Sequence, residues 1–131
     1  MSHLIDSDWV ADYLRGRSEA VAVLPALDGR AISLITFGEI YEGIYYGRDP
    51  GGAERGFRRF LRAVDVLPLT RTIMRRFARV RGQLRSQGQL ISDPDLLIAV
   101  TALHHNLTLV TRNLRHFRRI PGLQIYKPST R

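Results

Sequence analysis

The sequence predicts an α/β domain with a central parallel sheet of four to five strands flanked by helices. Short apolar segments alternate with helical patterns along the chain. Those segments are apolar throughout rather than at every second residue, as strands covered on both faces require. A length of 131 residues, with no repeat, low-complexity tract or Pro/Ser-rich linker, fits a single domain over residues 1–131.

His3 to Asp6 reads as a buried strand and Ser7 to Arg17 as a helix. In that helix Trp9, Val10, Tyr13 and Leu14 recur at helical spacing, with Ser7 or Asp8 as the cap. Ala31 to Ile35 is the second strand, and Thr36 opens a helix that runs to about Tyr46, ended by Gly47 and the turn Asp49-Pro50-Gly51-Gly52. Glu54 to Ala63 forms the next helix and Val64 to Leu67 the third strand. From Thr70 to Gln87, Ile73, Phe77, Val80 and Leu84 mark one helix face, and Gly88 closes it. Pro94 to His104 is a helix with Pro in its first turn. Leu107 to Val110 is the fourth strand, and Leu123 to Tyr126 is the candidate fifth.

The chain carries a formal net charge of +8 and a sequence pI of 11.0. Its cations are all Arg except Lys127. Arg forks suit bidentate contact with phosphate, so nucleic acid is the expected partner. Arg-rich codon usage accounts for the Arg bias equally well, but less well for the charge. No apolar run approaches the roughly 18 residues that span a bilayer, and no signal-peptide pattern opens the chain. The absence of cysteine excludes disulfides and thiolate metal sites and makes a cytoplasmic location the expectation.

Against this basic background the acids are few, and their positions matter. In a parallel sheet the functional crevice lies beyond the carboxyl ends of the strands. Asp6 and Asp8 follow strand one. Glu39 lies four residues after strand two, on the first turn of its helix, with Glu42 one turn on. Asp93-Pro94-Asp95 opens the helix before strand four, and Asn113 follows that strand. Each has an ordinary explanation alone: Asp93 and Asp6-Ser7-Asp8 as helix starts, Glu39 as a solvated helix residue. Carboxylates gathered in one crevice repel one another, and a hard divalent cation such as Mg²⁺ or Mn²⁺ relieves the repulsion. Such a cation holds a phosphodiester and activates water, so acids within an Arg-rich surface form a coherent nuclease design. Arg112 and Arg115, beside Asn113, are the candidate RNA contacts. The four histidines have no ligand spacing, and no phosphate loop or nucleophile elbow is present.

Four stretches also resemble the PIN-domain ribonucleases of the VapC toxin type: Leu4 to Asp8; Ile32 to Ile40 with Gly43; Ile91 to Ala99; and Thr108 to Asn113 leading to His116-Phe117 and Ile120 to Leu123. Their order and spacing make the likeness specific. The resemblance implies a metal-dependent endoribonuclease toxin, silenced by a small VapB-like antitoxin, commonly dimeric or in a higher toxin–antitoxin oligomer. Its invariant acids fall on Asp6, Glu39 and Asp95, with Asn113 at the fourth position and Ser7 and Asp93 in support. The sequence departs from the usual Asp-Thr-Asn of the first motif, reading Asp6-Ser7-Asp8. Asn113 stands where Asp is common, which bears on any second metal position.

Two other readings compete. Asp6-Ser7-Asp8 after an apolar strand is similar to the haloacid dehalogenase phosphatases, but that scheme needs a Lys ahead of its last acidic motif, and only Lys127 exists. The other is a non-enzymatic Arg-rich RNA-binding module whose acids are caps.

Overall fold

The computed structural model describes residues 2–128. Its strands are His3–Ile5 (β1), Arg30–Ser33 (β2), Asp65–Leu67 (β3) and Thr108–Val110 (β4), all parallel, in the order β3-β2-β1-β4. The helices are Ser7–Leu14 (α1), Ser18–Val23 (α2), Leu34–Tyr45 (α3), Pro50–Leu61 (α4), Arg71–Ser86 (α5), Asp93–His105 (α6) and Leu114–Phe117 (α7), with a 3-10 turn at Leu24–Ala26.

Successive strand residues point to opposite faces, and each face is apolar because each is covered. Leu4, Ala31 and Leu109 join a core with Ile73 and Leu84 of α5, Leu96 and Val100 of α6 and Phe117 of α7. Ile5, Ile32 and Val110 join a second core with Trp9 and Val10 of α1, Ile40 and Ile44 of α3 and Phe57 and Phe60 of α4. Each fully buried Leu, Ile or Phe contributes about 1.5–3 kcal/mol. The unbroken apolar strands are therefore the physical cause of the two-sided layering.

Several boundaries differ from expectation. Strand two ends at Ser33, whose hydroxyl accepts from the Thr36 amide at 3.0 Å and caps α3, so Leu34 and Ile35 belong to the helix. An apolar run does not distinguish the end of a buried strand from the start of a buried helix. Glu39 consequently falls in the second turn of α3 rather than the first. The fourth helix begins at Pro50, with Asp49 as its cap through a 3.1 Å bond from the Gly52 amide. Ser18–Val23 is a helix too short for the periodicity to reveal.

Ser92, not Asp93, caps α6 by accepting from the Asp95 amide at 3.4 Å. The fifth strand reduces to a single parallel bridge, Leu109 to Ile125. A turn at Gly122, with φ of +80°, delivers the chain to the sheet edge only at that point. Among the described residues no helix is long and apolar enough to cross a membrane.

Candidate active site

All four strands end at one edge, and the topology reverses between the neighbours β1 and β4. The chain leaves β1 toward β2 on one side, whereas β4 lies on the other. A crevice opens at such a switch point. Asp6 closes β1 there and Thr111 follows β4.

Asp6 is 5% exposed and held by both oxygens. Oδ1 accepts from the Ser7 amide at 2.8 Å, which makes Asp6 itself the cap of α1 in place of Ser7 or Asp8. Oδ2 accepts from the Thr111 hydroxyl at 2.7 Å, across 105 residues of sequence. Burial first, then the Asp8 charge, lifts the Asp6 carboxyl to about 6, while the Thr111 and Ser7 bonds pull it back. The Asp95 charge adds a smaller upward push.

Asp95 stands in the first turn of α6, where the positive end of the helix favours its charge. Its Oδ2 accepts from Asn113 Nδ2 at 3.2 Å and lies 3.0 Å from His116 Nδ1. A proton on Nδ1 makes the second contact a hydrogen bond. The Asn113 amide in turn donates to the Thr111 hydroxyl oxygen at 3.1 Å. Thr111 therefore links Asp6 to the segment that holds Asp95.

Glu39 stands on the opposite wall, along a groove of about 580 Å³ shared with Ser7 and Asp8. Gly43 of α3, Gly52 and Gly56 of α4, Arg15 and Arg59 also line this groove. Partial burial raises the Glu39 carboxyl above the ordinary range, Ser7 lowers it, and the Asp95, Glu42 and Asp8 charges raise it further. Asp8 is likewise raised, by burial. The structure thus brings Asp6, Ser7, Glu39, Asp95 and Asn113 to one crevice. Asp93 is not among them, because its carboxylate pairs with Arg81 of α5 at 2.9 Å.

Arg112 is more occupied than its sequence position implies. Its amide donates to Asp8 Oδ2 at 2.9 Å, and its guanidinium bridges Glu19 at 2.8 Å and Asp12 at 3.1 Å. The same guanidinium lies 4.0 Å from the centre of the Trp9 ring. Arg115 is exposed on α7 and in no ion pair among the described residues. Two site residues escaped the sequence reading. Thr111 was legible as a hydroxyl directly after a buried strand, and His116 as a residue one helical turn beyond Asn113.

The donor set is carboxylate and amide oxygen, with the Asp6 and Glu39 carboxyls raised first by burial and further by neighbouring charge, and that chemistry fits a hard divalent cation. Among the described residues no three His, Asp or Glu side chains already surround one point at ligating range.

The fold and this crevice define an α/β domain with an all-oxygen acidic centre at its switch point. The chain belongs to the PIN domain family, whose model matches residues 4–123. It is 34% identical over 125 residues to Ribonuclease VapC1 of Methanocaldococcus jannaschii, covering 94% of this chain and 85% of that one. Among solved structures it is similar to VapBC2 from Rickettsia felis bound to a DNA fragment from their promoter. The TM-score there is 0.88 at 25% identity, over 96% of this chain and 98% of that one. It is also similar to VapBC-1 from nontypeable Haemophilus influenzae, with a TM-score of 0.81 at 28% identity over 96% and 97% of the two chains. Family membership removes the support for the phosphatase reading of Asp6 and Asp8.

Proposed function

We propose that this chain is an endoribonuclease, the toxin of a VapBC-type toxin–antitoxin pair, that hydrolyses RNA phosphodiesters with Mg²⁺ or Mn²⁺. The observation that carries the reading is the meeting of Asp6, Glu39 and Asp95 at the switch point, fastened by Thr111, Asn113 and His116. The cation would be held by Asp6, Asp95 and Glu39. When bound, it supplies charge to the phosphodiester and lowers the pKa of an attacking water.

The protein's own groups supply orientation. Ser7 and Thr111 fix both oxygens of Asp6, and Asn113 and His116 fix Asp95. Without a cation, Asp6, Asp8 and Glu39 bind protons more readily than ordinary carboxylates, so cation binding at this cluster is coupled to proton release. RNA contact falls to Arg112 and Arg115. Because Arg112 is already shared between two carboxylates, Arg115 carries the larger part.

A small VapB-like antitoxin is the protein partner of this reading, because the similar solved structures are VapBC complexes. A homodimer or higher toxin–antitoxin oligomer belongs to the same reading. Tyr45 and Tyr46, 64% and 88% exposed at the end of α3, offer apolar surface to bury. An RNA substrate with a protein inhibitor implies action in the cytoplasm.

The test is cleavage of a mixed cellular RNA pool by antitoxin-free protein, with Mg²⁺, with Mn²⁺ and with EDTA, beside Asp6→Asn and Asp95→Asn. Discrete cuts that require metal and drop by at least about 100-fold in both variants are expected, since each substitution removes a charge the transition state needs. Cutting that survives both substitutions, or proceeds in EDTA, sinks the assignment.

A further inference from the structure

A second cavity, of about 540 Å³, lies on the far side of the segment that follows β4. It shares Thr111 and Arg112 with the acidic crevice, so an occupant of one lies next to an occupant of the other. Its walls are apolar, with Leu114, Phe117 and Leu123 facing the aromatic pair Trp9 and Tyr126. These two rings meet edge to face, 6.4 Å between centres. No carboxylate lines the cavity, whereas Arg118 and Lys127 stand exposed at its border. Trp9 is 1% exposed and forms part of the cavity wall.

We propose that this cavity is a nucleobase subsite, which receives one unstacked base of the RNA adjoining the phosphate held at the acidic crevice. This rests on the ribonuclease reading above. A nucleotide matches the cavity in each respect. A base presents flat apolar faces to an aromatic and aliphatic wall. Its phosphates are anions for a cationic border, Arg118 and Lys127, that is in no ion pair among the described residues, and the volume is that of a small-ligand pocket. A basic peptide would meet Arg118 and Lys127 with no acid to answer its charges. The subsite makes the choice of base beside the cut a property of the wall around Trp9 and Leu123, separate from the acids that support cleavage.

Trp9 is the only tryptophan in the chain, so its emission reports on the cavity directly. The experiment titrates the full-length protein in EDTA with AMP, CMP, GMP and UMP, reading tryptophan fluorescence, and maps cuts in an RNA pool with Mg²⁺ or Mn²⁺. Wild type is compared with Leu123→Phe, which narrows the cavity, and with Arg118→Ala/Lys127→Ala, whose exposed sites leave folding intact. A saturable change in emission is expected, strongest for one base. Arg118→Ala/Lys127→Ala should raise its Kd about fivefold, as two screened ion pairs allow. Leu123→Phe should lose the preference in binding and redistribute the bases that border the cuts.

If no nucleotide alters Trp9 emission, or if both variants bind and cut with the wild-type base distribution, the subsite is overturned. An acidic apolar peptide that shifts the emission where nucleotides do not also overturns it, in favour of a peptide site. Intact RNA alongside a preserved, base-selective emission change would remove the ribonuclease reading and leave the base subsite standing.

Discussion

Asp6 caps a helix, anchors Thr111 and stands among other acids while nearly excluded from water, and these demands conflict. Its carboxyl binds a proton more tightly in the folded chain, at about 6, than at its ordinary value of 3.8. The stability tied to that proton is full below the ordinary value and is lost as pH rises through about 6. Metal-free protein should therefore lose melting temperature between about pH 4 and pH 7, and Asp6→Asn should show a shallower loss. At the upper end the variant should be more stable by about 2–3 kcal/mol, the worth of a shift of that size. Thermal melts in EDTA check this, and identical pH slopes in the two proteins would refute it. The gathering of Asp6, Glu39 and Asp95 beyond the strand ends was legible because residue type and position beyond a strand are both written in the sequence. Asp93 was misread as support because two acids in one turn look alike until Arg81 claims one of them. His116 was hidden because its relation to Asp95 exists only after α6 and α7 meet.

At the scale of elements, α1, α2 and the start of α7 are joined through one side chain. Arg112 reaches Asp12 in α1 and Glu19 in α2, covers Trp9, and its amide ties down Asp8. Two partly exposed ion pairs and one cation–π contact together contribute about 1–2 kcal/mol. Arg112→Ala should lower stability by that amount and reduce cleavage through misplacement of the Asn113 segment. Arg115→Ala should leave stability within about 0.5 kcal/mol while weakening RNA binding and flattening its salt dependence by about one phosphate contact. Denaturation curves and salt-titrated binding separate the two. Equal stability losses would assign both residues the same role. Long helices such as α5 announced themselves by their apolar face. α2 did not, since six residues give no period to read, and its value lies in presenting Glu19 to a residue far along the chain.

Across the whole molecule, the parallel sheet was readable because strands buried on both faces must be apolar at every position. Strand order was not readable, since nothing local to β4 declares that it pairs with β1 rather than β3. That order has a consequence in time. The acidic centre joins the end of β1 to the segment after β4, so Asp6 waits 105 residues for Thr111. At roughly 5–20 residues per second of synthesis, the interval is roughly 5–20 seconds. Ribosome-bound chains arrested before Thr108 should leave RNA uncut, and chains released after Pro128 should cut it. The nascent protein thus carries its own delay: the carboxylate of Asp6 has no Thr111 to anchor it until the segment after β4 has been made.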